Sequence, residues 1–238
     1  MLYGYGCSFT DESFESQYPD VVPYPKWPEL VSSKLDLDFM NFGLCGISND
    51  EMKDTFLDTV VKKKPKVAMF LFTQWERVKV LPTSYTRIKL GKNCYESGMC
   101  DICKKLGFYK CWLSKLFHEN NNKDIDKLKY HQAINNFRIY YEIQEWCKRN
   151  DIKYILVQGL NAINLEHQYV KSLFKNNPYI DLLDTKKIWG YPFVENLGGR
   201  NVFNEMSKEE IIYGHPNQLG QEKLANIFYE LYKKNYRD

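Results

Sequence analysis

The sequence has no long hydrophobic run and no excess of charge of either sign. No stretch reaches the about 18 consecutive apolar residues that a membrane-spanning helix needs, so we expect no membrane span. The net charge of +3 comes from 33 basic and 30 acidic residues, and this balance does not favour nucleic acid or an acidic membrane as a partner. We also expect no secretion signal, because the first residues lack a basic segment followed by an apolar stretch.

The number of cysteines is odd, seven in all. Without a secretion signal, this favours reduced thiols over a disulfide framework. Four of them fall within residues 82–123, an irregular stretch that we interpret as an insertion. They are Cys94, Cys100, Cys103 and Cys111. The middle two have the spacing of metal ligands, and the outer two or His118 could complete a structural zinc site. Because the wider spacings match no standard zinc finger, partly buried thiols are the alternative.

Segments with the pattern of strands alternate along the chain with segments that have the pattern of helices. Strands are predicted at 2–6, 38–42, 67–72, 152–157 and 181–184, and helices at 27–31, 49–61, 124–149 and 218–235. The alternation predicts an α/β fold, a three-layer α/β/α sandwich with a mostly parallel sheet of about five strands. With 238 residues and 44% hydrophobic content, the chain is expected to form one domain over 1–238.

The first ten residues place a serine at the end of the first predicted strand. The apolar run that begins at residue 2 stops at Gly4 and Gly6, and Ser8 follows. In open α/β folds the carboxyl ends of the strands form the edge where ligands bind. Ser8 is therefore a candidate nucleophile, and a residue of an ordinary strand-end turn is the alternative.

Three further residues are expected at the same edge. Gly46 lies in the turn before the second helix, Gln74 follows strand 67–72, and His215 precedes the last helix. His215 could act as the base, while the N–H groups of Ser8 and Gly46 and the amide of Gln74 could form an oxyanion hole. The alternatives are a helix-entry glycine, a surface amide and a capping or packing histidine.

Aromatic residues are abundant, at 16% of the sequence. Trp75, Trp189 and Tyr191 lie on predicted loops at the candidate edge, and we expect them to line a pocket for a sugar or an acyl group. Packing in the core is the alternative for such large side chains.

The order and spacing of several segments resemble the SGNH, or GDSL-type, hydrolases, in particular their compact phage and bacterial branch. The segments are Gly6-Cys-Ser-Phe-Thr10, Trp27-Pro-Glu-Leu30, 41–50, Thr73-Gln-Trp75 and His215-Pro-Asn217. The resemblance covers most of the chain except the insertion at 82–123, and it implies the flavodoxin-like sandwich expected above.

The resemblance implies that Ser8 is the nucleophile, Gly46 the second oxyanion donor and His215 the base, with no metal or cofactor for catalysis. Members of this family are mostly esterases, lipases or carbohydrate deacetylases. We therefore expect hydrolysis of a carboxylic ester, with an O-acetyl or other O-acyl group on a glycan as the favoured substrate. The expected location is cytoplasmic or on a virus particle, and the oligomeric state is left open.

Two positions depart from the family pattern. The third oxyanion donor is normally Asn, whereas Gln74 carries the same amide on a longer arm. The family also has Asp three residues before its His, where this chain has Ile212. A backbone carbonyl, Glu209 or Glu210 could orient His215 instead. Because loss of the acidic partner can cost several powers of ten in rate, the alternatives include a weak or inactive binding or structural module, for example of a phage particle. Acyl transfer by the same serine is a third possibility.

Overall fold

The structure is a computed structural model that describes residues 1–13, 18, 20–75, 77–79, 87–89, 122–160, 172, 175–190 and 201–236. The predicted insertion at 82–123 lies outside the described residues, apart from 87–89 and 122–123. Among the described residues, no helix is both long and apolar enough to cross a membrane.

Five of the strands form one parallel sheet. The elements are β1 (Leu2–Gly6), α1 (Trp27–Leu35), β2 (Phe39–Gly43), α2 (Asn49–Val60), β3 (Val67–Phe72), β4 (Arg77–Lys79), β5 (Arg87–Lys89), α3 (Asn122–Arg149), β6 (Lys153–Gln158), β7 (Ile188–Trp189), β8 (Ile211–Ile212), β9 (His215–Pro216) and α4 (Gln218–Tyr236). The sheet has the order β2-β1-β3-β6-β7, and each neighbouring pair is parallel. The predicted α/β architecture with a sheet of about five strands is confirmed.

The helices cover the two faces of this sheet in pairs. On one face, a side chain at Gly4 would meet Pro28 of α1, and the rings of Trp27 and Phe228 stack 4.0 Å apart to join α1 to α4. On the other face, Tyr5 packs edge-on against Phe56 of α2. Because adjacent side chains of a strand point to opposite faces, α1 and α2 must lie on opposite sides of β1.

The central strand β3 is buried along its whole length. All six of its residues are buried, as expected for a short apolar run in a parallel sheet that is covered on both faces. Phe72, its last residue, packs against Tyr140 of α3 at a ring distance of 4.2 Å. The strand therefore ends in a rigid layer, and this fixes the start of the loop that contains Gln74.

The predicted fifth strand at 181–184 is wrong. A 3-10 helix covers Ile180–Leu182, and the fifth strand is the two-residue β7, which pairs with β6. The side chain of Gln144 in α3 donates to the carbonyl of Leu182 and accepts from the N–H of Asp184, at 2.8 and 2.7 Å. These bonds occupy backbone groups that a strand would use for pairing.

Candidate active site

Ser8 lies in a tight turn directly after β1. The N–H groups of Thr10 and Asp11 both donate to the carbonyl of Cys7, at 2.8 and 3.1 Å. A side chain on Gly6 would overlap the hydroxyl of Thr10, so the turn can fold back only over a glycine. Ser8 is 5% exposed, so it is nearly buried at the carboxyl edge of the sheet.

His215 reaches this edge from the other end of the chain. Its Nε2 lies 2.8 Å from Oγ of Ser8, although the two residues are 207 positions apart in the sequence. The ring of Phe9 packs edge-on against the imidazole, with ring centres 5.3 Å apart. The candidate nucleophile and base are thus in hydrogen-bond contact.

A short hairpin sets the position of His215. Ile212 of β8 pairs with His215 of β9, and the two residues between them, Tyr213 and Gly214, have φ of 51° and 72°. Positive φ at both central residues is the mark of a type I′ turn, whose twist matches that of the flanking strands. Ile212, which stands where the resemblance would place an Asp, is therefore a hairpin residue that faces His215 across the ladder.

The second nitrogen of His215 is held by a backbone carbonyl. Nδ1 lies 3.0 Å from the carbonyl oxygen of Tyr213, and a carbonyl oxygen can only accept. Nδ1 must then carry the proton, which leaves Nε2 of the neutral ring free to accept from the hydroxyl of Ser8. This is the tautomer that a general base needs.

Of the three groups considered as substitutes for the missing Asp, the backbone carbonyl is thus the one placed at Nδ1. The carboxylate of Glu210 instead accepts from the N–H of Ser207 and from Lys223, the latter at 3.2 Å. The hydrogen bond from the N–H of Ser207, and to a smaller extent Lys223, lowers the pKa of Glu210 below its ordinary value. The side chain of Glu209 is engaged by the side chain of Ser207, whose hydrogen bond lowers the pKa of Glu209.

Two tyrosines from the segment between β1 and α1 contact the hairpin. The ring of Tyr213, which is 55% exposed, stacks on Tyr18 with ring centres 4.4 Å apart. The hydroxyl of Tyr24 donates to the carbonyl of Pro216 at 2.8 Å. The sequence did not predict these contacts, because the apolar residues of that segment have no regular spacing. The Tyr-Gly pair between Ile-Ile and His-Pro is the signal that could have indicated a two-residue hairpin.

Gly46 lies in a second turn at the same edge. The N–H of Ile47 donates to the carbonyl of Leu44 at 3.2 Å, and Gly46 has φ of 74°. A positive φ at the third residue alone identifies a type II turn, which requires glycine or asparagine there. Within the described part of the chain, the N–H groups of Ser8 and Gly46 donate to no other residue.

The backbone on both sides of Gln74 is fixed by buried side chains. The N–H of Thr73 donates to Oδ1 of Asn49 at 2.9 Å, and the indole N–H of Trp75 donates to the hydroxyl of Tyr140 at 2.8 Å. Gln74 itself is half-buried. Its side-chain amide has no hydrogen-bond partner among the described residues, so it remains available as a donor.

The expectation that Trp75 lines the pocket is wrong. The side chain is 1% exposed and packs on Phe137 and Tyr140 of α3. Its N–H is satisfied by Tyr140, which in turn donates to Gln158 at 2.6 Å. Burial also raises the pKa of Tyr140, so that hydroxyl stays neutral and the network stays intact.

Trp189 lies in β7 and is half-buried. It lines a groove of about 490 Å³ along α4 with Lys223, Ile227, Leu231 and Lys234 among its neighbours. Neither Ser8 nor His215 lines this groove, so the structure does not join Trp189 to the candidate nucleophile and base. Tyr191 lies outside the described residues, and its predicted role is untested.

The predicted zinc ligands Cys94, Cys100, Cys103 and Cys111 also lie outside the described residues. In the part of the chain that is described, no group of three or more potential ligands could hold a metal ion. The cysteines described there, Cys7, Cys45 and Cys147, form no disulfide with one another.

No family model matches the chain, and no curated protein sequence matches it. Solved structures are similar to it at low sequence identity. A protein assigned to the G-D-S-L lipolytic family, from Desulfitobacterium hafniense DCB-2, is 11% identical with a TM-score of 0.46, over 97% of this chain and 98% of that one. The psychrotrophic esterase of a Pseudoalteromonas species is 12% identical with a TM-score of 0.46, over 100% and 98%.

An acetylxylan esterase from Geobacillus stearothermophilus is 11% identical with a TM-score of 0.48, over 97% of this chain and 92% of that one. The similar structures thus include a G-D-S-L protein and esterases. Their TM-scores are below 0.5, so they carry no argument about this chain, and the functional argument depends on the geometry of its own site.

Proposed function

We propose that the protein is a serine hydrolase that cleaves a carboxylic ester, with Ser8 as nucleophile and His215 as base. The observation that carries the proposal is the 2.8 Å contact between Oγ of Ser8 and Nε2 of His215. The bond from Nδ1 to the carbonyl of Tyr213 supports it, because it selects the tautomer in which Nε2 accepts a proton.

The reaction begins when Oγ of Ser8 attacks the acyl carbonyl and passes its proton to Nε2 of His215. The imidazolium then protonates the leaving alkoxide, and an acyl-serine forms as the ester bond breaks. Water attacks this intermediate while His215 takes up its proton. The imidazolium then returns that proton to Oγ of Ser8 as the bond between the acyl carbon and Oγ breaks, and the carboxylic acid leaves with the serine regenerated. No metal or cofactor enters these steps.

Negative charge develops on the carbonyl oxygen in both tetrahedral states. The N–H groups of Ser8 and Gly46 are free to donate to it, and the amide of Gln74 is the third donor in this proposal. Removing one oxyanion donor typically slows such enzymes by about 100-fold to 1,000-fold, so each donor contributes substantially to the rate in this proposal.

The carbonyl of Tyr213 takes the part that an Asp plays in a catalytic triad. Loss of that Asp can cost about 10,000-fold because the imidazole adopts the wrong tautomer. Here the carbonyl holds the correct tautomer, although it offers the imidazolium only a dipole and not a full charge. We therefore propose an active Ser8–His215 dyad that turns over more slowly than a complete triad.

The favoured substrate is an O-acyl group, such as acetyl, on a glycan. The resemblance to a family that includes carbohydrate deacetylases supports this choice. So does the exposed ring of Tyr213, backed by Tyr18, because aromatic faces suit the apolar side of a sugar ring. A cytoplasmic or virion-associated location belongs to the same proposal.

A fluorophosphonate probe, which reacts with activated serines, tests the proposal directly. We expect labelling of the native protein and none of Ser8→Ala or His215→Ala, and the same pattern for release of acetate from an acetylated oligosaccharide. Circular dichroism of each variant verifies the fold. Absence of labelling in a folded native protein would contradict the proposal and favour an inactive binding or structural module. Appearance of the acyl group on a sugar acceptor would show transfer in place of hydrolysis.

A further inference from the structure

The carboxylate of Asp11 is buried between the two turns that contain Ser8 and Gly46. Asp11 is 8% exposed. Its Oδ2 accepts from the N–H of Cys45 at 2.8 Å, and its Oδ1 accepts from the N–H and hydroxyl of Ser13 at 2.9 and 2.7 Å. Hydrogen bonds to a charged acceptor are stronger than those between neutral groups. The carboxylate is therefore a firm link between the two turns.

The bond to Cys45 fixes the peptide that immediately precedes the one carrying the Gly46 N–H. Cys45 and Gly46 are the two central residues of the type II turn, and the peptide between them carries that N–H. Type I and type II turns differ by a flip of this peptide, so its orientation decides whether the N–H faces the opening near Ser8. The φ of 74° at Gly46 sets the type II orientation of this peptide. The N–H of Cys45 belongs to the preceding peptide, Leu44–Cys45, so Asp11 anchors the turn one peptide before the Gly46 N–H. The bond from Ile47 to Leu44 closes the turn.

Other contacts bring the two turns together without touching this peptide. The side chain of Asn41 donates to the carbonyl of Thr10 and accepts from the N–H of Gly43, at 2.7 and 2.8 Å. A side chain on Gly43 would overlap the backbone of Thr10. These contacts set the distance between the turns. Of these contacts between the two turns, the bond to Asp11 is the one that ends on Cys45, directly before Gly46.

We infer that Asp11 is a positioning residue, which holds the Gly46 N–H where the oxyanion forms. The inference rests on the proposed function. Because the oxyanion exists only in the tetrahedral states, loss of Asp11 lowers kcat and leaves KM nearly unchanged. A role limited to stability would lower the melting temperature without this split.

The test compares Asp11→Asn and Asp11→Ala with Ser13→Ala, using p-nitrophenyl acetate below the melting temperature of each variant. The Asn side chain has one acceptor atom where two are used, so it keeps part of the link, and Ala keeps none. We expect kcat to fall by about 10-fold for Asp11→Asn and about 100-fold for Asp11→Ala, on the scale of a lost oxyanion donor. Ser13→Ala is the matched control, because it removes a partner of the same carboxylate but leaves the Cys45 bond.

The outcomes separate this inference from the proposed function. If both Asp11 variants keep the native kcat while Ser8→Ala is inactive, the inference is overturned and the hydrolase proposal stands. A rise in KM without loss of kcat, or an equal loss in Ser13→Ala, also overturns it. Should Asp11→Ala fail to fold, Asp11→Asn decides. A native protein without any turnover that depends on Ser8 removes both proposals together.

Discussion

Gln74 shows how one residue can be placed from sequence while its function depends on geometry. Its position after β3 follows from the apolar run that precedes it. The buried bonds of Thr73 and Trp75 fix the backbone on both sides, yet the Gln74 amide bonds to no described residue. Because this amide makes no such bond, we expect its removal to leave the stability of the fold unchanged. A change in rate can then be assigned to catalysis and not to folding.

We predict that Gln74→Ala lowers kcat by about 100-fold, the cost of one oxyanion donor, and leaves the melting temperature unchanged. Steady-state kinetics and thermal unfolding measure the two effects. Gln74→Asn is the matched variant, because it keeps an amide on a shorter arm. A full native kcat in Gln74→Ala would show that the side chain takes no part.

The partner of His215 is a residue-level feature that the sequence could not specify. The absence of Asp at position 212 is visible in the sequence. A backbone carbonyl, however, belongs to every residue, and only the hairpin conformation brings that of Tyr213 to Nδ1. The sequence therefore predicted that Ser8 and His215 lie together, as they do, but it left three groups open for the partner of Nδ1.

The β8–β9 hairpin is the element on which the base depends. A Cβ at Gly214 would meet nothing within 4 Å, so substitution there affects the backbone alone. Placing Ala at φ of 72° costs about 1 kcal/mol or more.

We predict that Gly214→Ala lowers the melting temperature by about 2–4 °C and also lowers kcat, because the strained turn moves the carbonyl of Tyr213 away from Nδ1. Gly214→Asn is the control, since asparagine tolerates a positive φ. Calorimetry and steady-state kinetics give the two readouts. Equal values for Gly214→Ala and the native protein would contradict this account of the turn.

Glu210 ends the 3-10 helix before the hairpin, Lys208–Glu210, and its carboxyl is expected to make the stability of the protein depend on pH. The N–H of Ser207 and then Lys223 depress the pKa of Glu210 below the ordinary 4.5. A depressed carboxyl pKa adds stability above its ordinary value, and this stability is lost as the pH falls through the lowered value.

The native protein should accordingly be more stable than Glu210→Gln near neutral pH, and the difference should shrink as the pH falls below about 4.5. Melting temperatures of the two proteins across this range measure it. A difference that stays constant at acid pH would mean that the contacts of Glu210 add no stability that depends on its charge.

The short elements were the hardest to predict. The interpretation of 181–184 as a strand failed because Gln144, from a distant helix, binds the backbone of that segment. The true fifth strand is only two residues long, too short to show any alternation. The prediction of β3 was confirmed. Its unbroken apolar run reflects a single requirement, burial between two layers of helices.

Across the whole molecule, the layers approach closely at glycines of the first strand. A Cβ on Gly4 would lie 2.6 Å from Cγ of Pro28, so α1 rests directly on the sheet. Trp75 illustrates why such packing is not visible in sequence. Its indole N–H finds a partner 65 residues away, in α3, and the ring is drawn into the core and away from the expected pocket.

We predict that Gly4→Ala forces α1 away from the sheet and destabilises the fold by about 1–3 kcal/mol, as overpacked cores do. Denaturant unfolding measures the change. Val61→Ala is the control, because Val61 is 73% exposed and surface changes stay within about 0.5 kcal/mol. A Gly4→Ala variant as stable as the native protein would show that the helix can shift at no cost.

The 207 positions between Ser8 and His215 have a consequence for how the protein is made. During translation the serine is added 207 residues before the histidine that would activate it in the proposed reaction. A nascent chain, or one released early by a premature stop codon, carries the serine without its base. Such a product lacks the proposed pair, so hydrolysis by that pair would require synthesis past the β8–β9 hairpin.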